Sequence, residues 1–207
     1  MTFISRRDLL KRAAFAAAAV EVLGRSPVAA FQSGRFENFT AVESEILEAV
    51  VARLIPSDDL GPGAKEAGAA HYIDRALGGA LASSRQAYAS GLAALDRYAR
   101  SSRGETFAKL SPTDQDSVLI DVETGAATGF TGSSAAFFNM VLNHTHQGTF
   151  GDPYYGGNAN YVGWDLIGYP GVRTMVSAAD QKQLEAGALK PNHKSAYQYE
   201  SFSKAEK

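Results

Sequence analysis

The residues best suited to chemistry cluster in "NHTHQG", where His144 and His146 are followed by Asp152. Two imidazoles and a carboxylate are metal ligands, so the trio raises an exported metal-dependent enzyme as one reading. Ligands two residues apart share a face only on extended backbone, whereas helical ligands fall three or four apart. A helix is expected to reach His146, so the spacing is poor. The competing reading has the imidazoles capping terminal helix carbonyls or hydrogen-bonding the following loop. His71 and Asp74, three apart on one predicted helix, could pair, more simply as a surface or core contact than in catalysis. His193 lies in a polar tail and is expected to be solvated.

A hydrolase would need an activated nucleophile. The chain has no Gly-x-Ser-x-Gly elbow, and Ser133-Ser134 in "GSSAA" reads as a helix N-cap. Asp58 and Asp59 are adjacent, so their carboxylates diverge and a turn role outweighs acid–base work. With no cysteine, the chain can hold no disulfide, thiolate zinc site, iron–sulfur cluster or thiol nucleophile. Intrinsic catalysis is not supported, and no catalytic, cofactor-binding or metal residue is assigned.

Gly148 to Val176 is the exceptional stretch, with seven glycines, six aromatics and three charged residues. A long irregular segment in a compact domain tends to be functional or disordered, and aromatic richness with little charge favours function. Such aromatics either cover the loop's own core or present a contact surface to another protein, and both can hold at once. Trp164, the only tryptophan, is the leading anchor candidate.

The elements that must position these residues are helical. Thr40-Ala41-Val42-Glu43 forms a capping box, and Val42, Ile46, Val50 and Leu54, widened by Leu47 and Val51, make an apolar stripe ended by Pro56. Further helices are predicted from Lys65 to Leu77, and from about Ala82 to Ser101 with Tyr88, Leu92, Leu95 and Tyr98 on one face and Gly91 as a weak point. A fourth follows the Ser111-Pro112 start to Thr124, and a fifth runs from Ser134 to His146. No strand alternation, repeat or Rossmann glycine pattern interrupts them. The fold class is all-α: one compact domain of about five main helices over residues 31–190, with the long Gly/aromatic irregular segment and a polar tail over 191–207.

Ser5-Arg6-Arg7-Asp8-Leu9-Leu10-Lys11 resembles the bacterial twin-arginine export pattern. A short apolar run from Ala13 to Leu23 and the small-residue site Val28-Ala29-Ala30 follow, so residues 1–30 read as a signal peptide, with Arg6 and Arg7 as its signal. Without them the formal charge moves from −2 to −5, because five basic and two acidic residues leave. A mildly acidic chain without a Lys/Arg cluster argues against a nucleic-acid partner and a polybasic membrane patch. That route commonly serves proteins already folded around a cofactor, yet no cofactor site is visible.

Three blocks in order, the twin-arginine leader, "LIPSDDLGPGAKEAGAAHYIDRAL" and "FFNMVLNHTHQGTFGDPYYGGNANYVGWDLIGYPG", resemble the gluconate 2-dehydrogenase subunit 3 family. The resemblance implies a cofactor-free small subunit that accompanies an FAD-dependent catalytic subunit of the glucose–methanol–choline type, often with a multi-haem cytochrome c. FAD, and any iron–sulfur cluster or haem c, would sit on those partners. The small subunit would bind the flavoprotein, help it mature, and carry it through the twin-arginine translocase to the periplasm, membrane-associated through the complex. The expected partner interface is the Gly-aromatic loop with "HTHQG", through His144, His146, Gln147, Phe150, Asp152, Tyr155, Asn158, Trp164 and Tyr169. A free-standing periplasmic structural or binding protein is the remaining alternative.

Overall fold

The computed structural model describes residues 35–203; the signal-peptide reading, with Arg6 and Arg7, lies outside them. The capping box forms as predicted: Glu43 N–H donates to Thr40 Oγ1 at 3.2 Å, and Thr40 N–H donates to Glu43 Oε2 at 2.8 Å. Helix α1 (Ala41–Leu54) starts there. Its buried stripe is Ile46, Leu47, Val50 and Val51. Val42 instead lies 62 % exposed, because it sits in the first turn before the helix meets its neighbours.

Helix α2 (Ala69–Leu77) begins four residues later than expected. Gly68, at φ 73°, takes the left-handed conformation that separates the preceding turn from the helix. Helix α3 (Arg85–Arg103) follows a 3₁₀ turn at Ala82–Ser84. It buries Tyr88, Leu92 and Leu95 as predicted, while Tyr98 is half-buried and donates to Asp121 Oδ2 at 3.0 Å. Gly91, expected to weaken α3, is a contact point: any Cβ there would overlap the Phe137 ring. Helix α4 (Pro112–Glu123) has Ser111 as N-cap and proline in its first turn.

Helix α5 (Ser134–Phe150), capped by Ser133, runs past the predicted end at His146 and through Gly148. A Cβ on Gly148 would press on Ala69 Cα and the Tyr72 ring, so this glycine permits close packing of α5 on α2 where the sequence suggested a stop.

The five long helices enclose one core. Leu47 and Val51 of α1, Ile73 of α2, Tyr88, Leu92 and Leu95 of α3, Val118 and Val122 of α4 and Val141 of α5 are its buried members. Phe107, in the 3₁₀ turn Phe107–Lys109, fills the end of the core, and Gln115 Nε2 donates to its carbonyl at 3.0 Å. A bidentate Arg53–Asp116 pair, at 2.7 Å for each bond, ties α1 to α4.

The Gly/aromatic segment is less irregular than predicted. It holds the last turn of α5, 3₁₀ turns at Pro153–Tyr155 and Ala159–Tyr161, and helix α6 (Val162–Ile167). Helix α7 (Ala178–Glu185) follows, and α8 (Glu200–Ser203) closes the described chain. No described helix is long and apolar enough to cross a membrane.

Candidate functional site

The segment after α5 is wound around Asn158, which is fully buried. Its N–H donates to the Gly148 carbonyl at 2.7 Å, its Nδ2 to the Gly151 carbonyl at 2.9 Å, and its Oδ1 accepts from Gly163 N–H at 2.8 Å. Asn158 adopts φ 44°, a left-handed conformation that asparagine tolerates better than most residues. The result brings α6 onto the last turn of α5, where a Cβ on Gly163 would overlap the Thr149 carbonyl. Trp164, 4 % exposed, donates from Nε1 to the Phe150 carbonyl at 2.9 Å and packs against Tyr161 and Tyr169. Tyr161 is also left-handed, at φ 63°, an unusual state for an aromatic residue.

Sequence-predicted contact residues therefore divide. Trp164, Asn158 and His144 lie in the interior, where the first two hold the loop together, and Phe150 and Tyr169 are half-buried. His146, Gln147 and Tyr155 are exposed, and Gln147 Oε1 accepts from Tyr72 Oη at 2.9 Å. Asp152 is an organiser: Oδ1 accepts from Tyr154 N–H at 2.9 Å, and Oδ2 accepts from Ala196 N–H at 2.8 Å.

The metal trio is not assembled. Since α5 is helical through both histidines, His144 turns into the core and His146 faces outward. Among the described residues no group of three or more His, Cys, Asp or Glu side chains is placed to hold a metal ion. His144 Nδ1 and Tyr88 Oη share a 2.9 Å hydrogen bond, so this imidazole neither caps the helix nor binds the loop as expected.

Burial pushes the Tyr88 phenol up and the His144 imidazole down, leaving both neutral at pH 7. The unfolded chain binds a proton at His144 more readily than the folded one. Stability from this site is thus complete above about pH 6.5 and falls as pH drops from there toward the lower folded value. Urea unfolding between about pH 8 and about pH 5 should show His144→Gln losing less stability than the parent. Parallel pH profiles would remove this assignment.

The other candidates have structural partners. Asp74 does not pair with His71; its carboxylate accepts three backbone N–H groups, from Glu37 at 2.8 Å, Asn38 at 2.8 Å and Phe39 at 3.0 Å. His71 stacks on Phe36 at 4.4 Å. Asp58 Oδ1 accepts from Leu60 N–H at 2.8 Å, the turn role expected of it. Ser133 Oγ accepts from Ala136 N–H, and Ser134 Oγ donates to the Val122 carbonyl.

The tail is the feature that sequence reasoning missed. His193 is exposed, as expected, but it has partners: its Nε2 lies 2.6 Å from Asp165 Oδ1 and its ring stacks on Tyr161 at 5.0 Å. Asn192 Nδ2 and Tyr199 Oη both donate to the Val172 carbonyl, each at 2.6 Å. Ser195 and Gln198 form a capping box, a pattern readable in "SAYQ" that marks an ordered turn. Tyr197 is thereby laid on the loop, stacked on Tyr154 at 3.8 Å with its Oη 2.6 Å from that of Tyr155. The result is a partly exposed cluster of mutually packed tyrosine rings.

Residues 41–171 match the family model described as gluconate 2-dehydrogenase subunit 3. No curated protein matches the chain, and no solved structure does.

Proposed function

We infer, since this chain belongs to the gluconate 2-dehydrogenase subunit 3 family, that it is the non-catalytic small subunit of an FAD-dependent sugar or gluconate dehydrogenase. The family's place in gluconate dehydrogenase complexes implies catalytic partner subunits. On this reading the partner is a flavoprotein of the glucose–methanol–choline type, with a multi-haem cytochrome c that takes its electrons and holds the complex at the membrane. The small subunit binds the flavoprotein, supports its maturation, and supplies the twin-arginine signal that takes both to the periplasm.

The family match carries this reading, because it spans all five long helices and the Gly/aromatic loop as far as Gly171. Two further observations support it. Asp58, Ser133, Ser134 and Asp152 are engaged in caps, turns and backbone hydrogen bonds. The sequence also carries Arg6-Arg7 ahead of an apolar run, which on this reading addresses a partner that has no leader of its own. No observation favours the metal-dependent alternative, whose three residues point apart.

Export tests the proposal. With the flavoprotein co-expressed, replacing both Arg6 and Arg7 by lysine should leave its dye-reducing activity in the cytoplasm. Undiminished periplasmic activity would end the passenger reading.

A further inference from the structure

Helix α2, the Gly/aromatic loop and the C-terminal tail meet at a surface cleft of ≈ 300 Å³ whose walls include Arg75, Pro153, Tyr154, Tyr161 and Tyr197. Segments distant in sequence build it, and Asp152 pins two of them together by accepting from both Tyr154 N–H and Ala196 N–H. Tyr154, Tyr155 and Tyr197 are 43 %, 48 % and 38 % exposed. Their rings are already fixed against one another: Tyr155 meets Tyr154 edge-on at 5.3 Å and Tyr197 at 5.8 Å. Exposed rings held in place lose little freedom when a partner covers them, and tyrosine and arginine dominate interface hot spots.

Arg75 decides the partner's chemistry. Its Nη1 donates to the Tyr154 carbonyl at 3.3 Å, and among the described residues its guanidinium has no ion pair. A guanidinium without a carboxylate, beside apolar ring faces, matches an acid followed closely by an apolar side chain. It disfavours a basic segment, and the rings give a purely charged one little to bury. At ≈ 300 Å³ the cleft is the size of an anchor site within a larger interface.

We propose that this cleft is the docking point for an extended acidic segment of the catalytic subunit, its carboxylate on Arg75 and a neighbouring apolar side chain on Tyr154 and Tyr197. The proposal rests on the reading of this chain as the subunit that binds that flavoprotein, and it names the residues and charge through which binding occurs.

The test measures the affinity of the purified full chain for its FAD-dependent catalytic subunit. Arg75→Glu should weaken association about 100-fold and Arg75→Lys about tenfold. Tyr197→Ala should weaken it about tenfold or more. Parent binding should weaken with added salt, and Arg75→Gln should flatten that dependence. Arg75 is exposed, so its variants should keep the parent's helix content and unfolding midpoint, which separates docking from folding. If the parent chain itself fails to bind the flavoprotein, the subunit reading fails. If it binds and Arg75→Glu binds equally well, the cleft proposal alone fails. Gluconate binding to the isolated chain that is lost in Arg75→Glu would make this a small-carboxylate site, and would also overturn the proposal.

Discussion

Asn158→Ala should cost about 3–5 kcal/mol of stability, read from urea unfolding, because it combines two losses. The buried Gly163 N–H loses its only side-chain acceptor, and the Gly151 carbonyl loses its donor. An unpaired buried polar group costs about 1–3 kcal/mol. Alanine must also hold φ 44°, which asparagine tolerates and alanine resists by about 1–2 kcal/mol. Asn158→Gly removes the same side-chain bonds without the backbone penalty, so it should be the milder of the two. Near-ultraviolet dichroism from Trp164 should change in both, since Gly163 sets where that indole sits. A loss below about 1 kcal/mol for Asn158→Ala would mean that the loop is held by its aromatic packing alone.

Asp74→Ala should cost about 2–4 kcal/mol, because one carboxylate collects the N–H groups of three consecutive residues. That clasp delivers Phe39 into the core, where it meets Tyr88 edge-on at 5.5 Å. Asp74→Asn keeps an oxygen for Asn38 and Phe39 but offers an amide donor to the Glu37 N–H, so it should fall between alanine and the parent. Amide hydrogen exchange localises the effect: the amides of residues 37–39 should exchange faster in both variants. Unchanged exchange there would show that packing of Phe39, not the carboxylate, holds the segment.

These two residues mark the divide between local and tertiary information. The Thr40/Glu43 box, the Ser111-Pro112 start and the Ser133 cap were legible because each signal acts over one helical turn, and the structure places every one as expected. The apolar faces of α1 and α3 were legible from the 3.6-residue period, apart from the exposed Val42 and the half-buried Leu54 and Tyr98. Gly91 and Gly148 were misread because propensity treats glycine as a helix weakness, whereas their value here lies in what Phe137, Ala69 and Tyr72 do with the space. His71 and Asp74 looked like a pair from helical spacing, but Asp74 serves amides 35 to 37 positions away, which spacing cannot reveal.

By itself the sequence determined an all-α chain, where three of its five long helices start, the absence of any thiol chemistry, and a family resemblance that the family match then established. Each of these follows from composition or from patterns repeating within a turn or two. The tertiary structure decided which residues face inward and which stay at the surface. It sent His144 and His146 apart, buried Trp164 beneath the loop, and brought Tyr197 back across more than 40 positions to lie on Tyr154. The reason is physical: a side chain's exposure depends on what folds over it, and Arg75 and Tyr197 share a cleft only once Asp152 has pinned the tail to the loop.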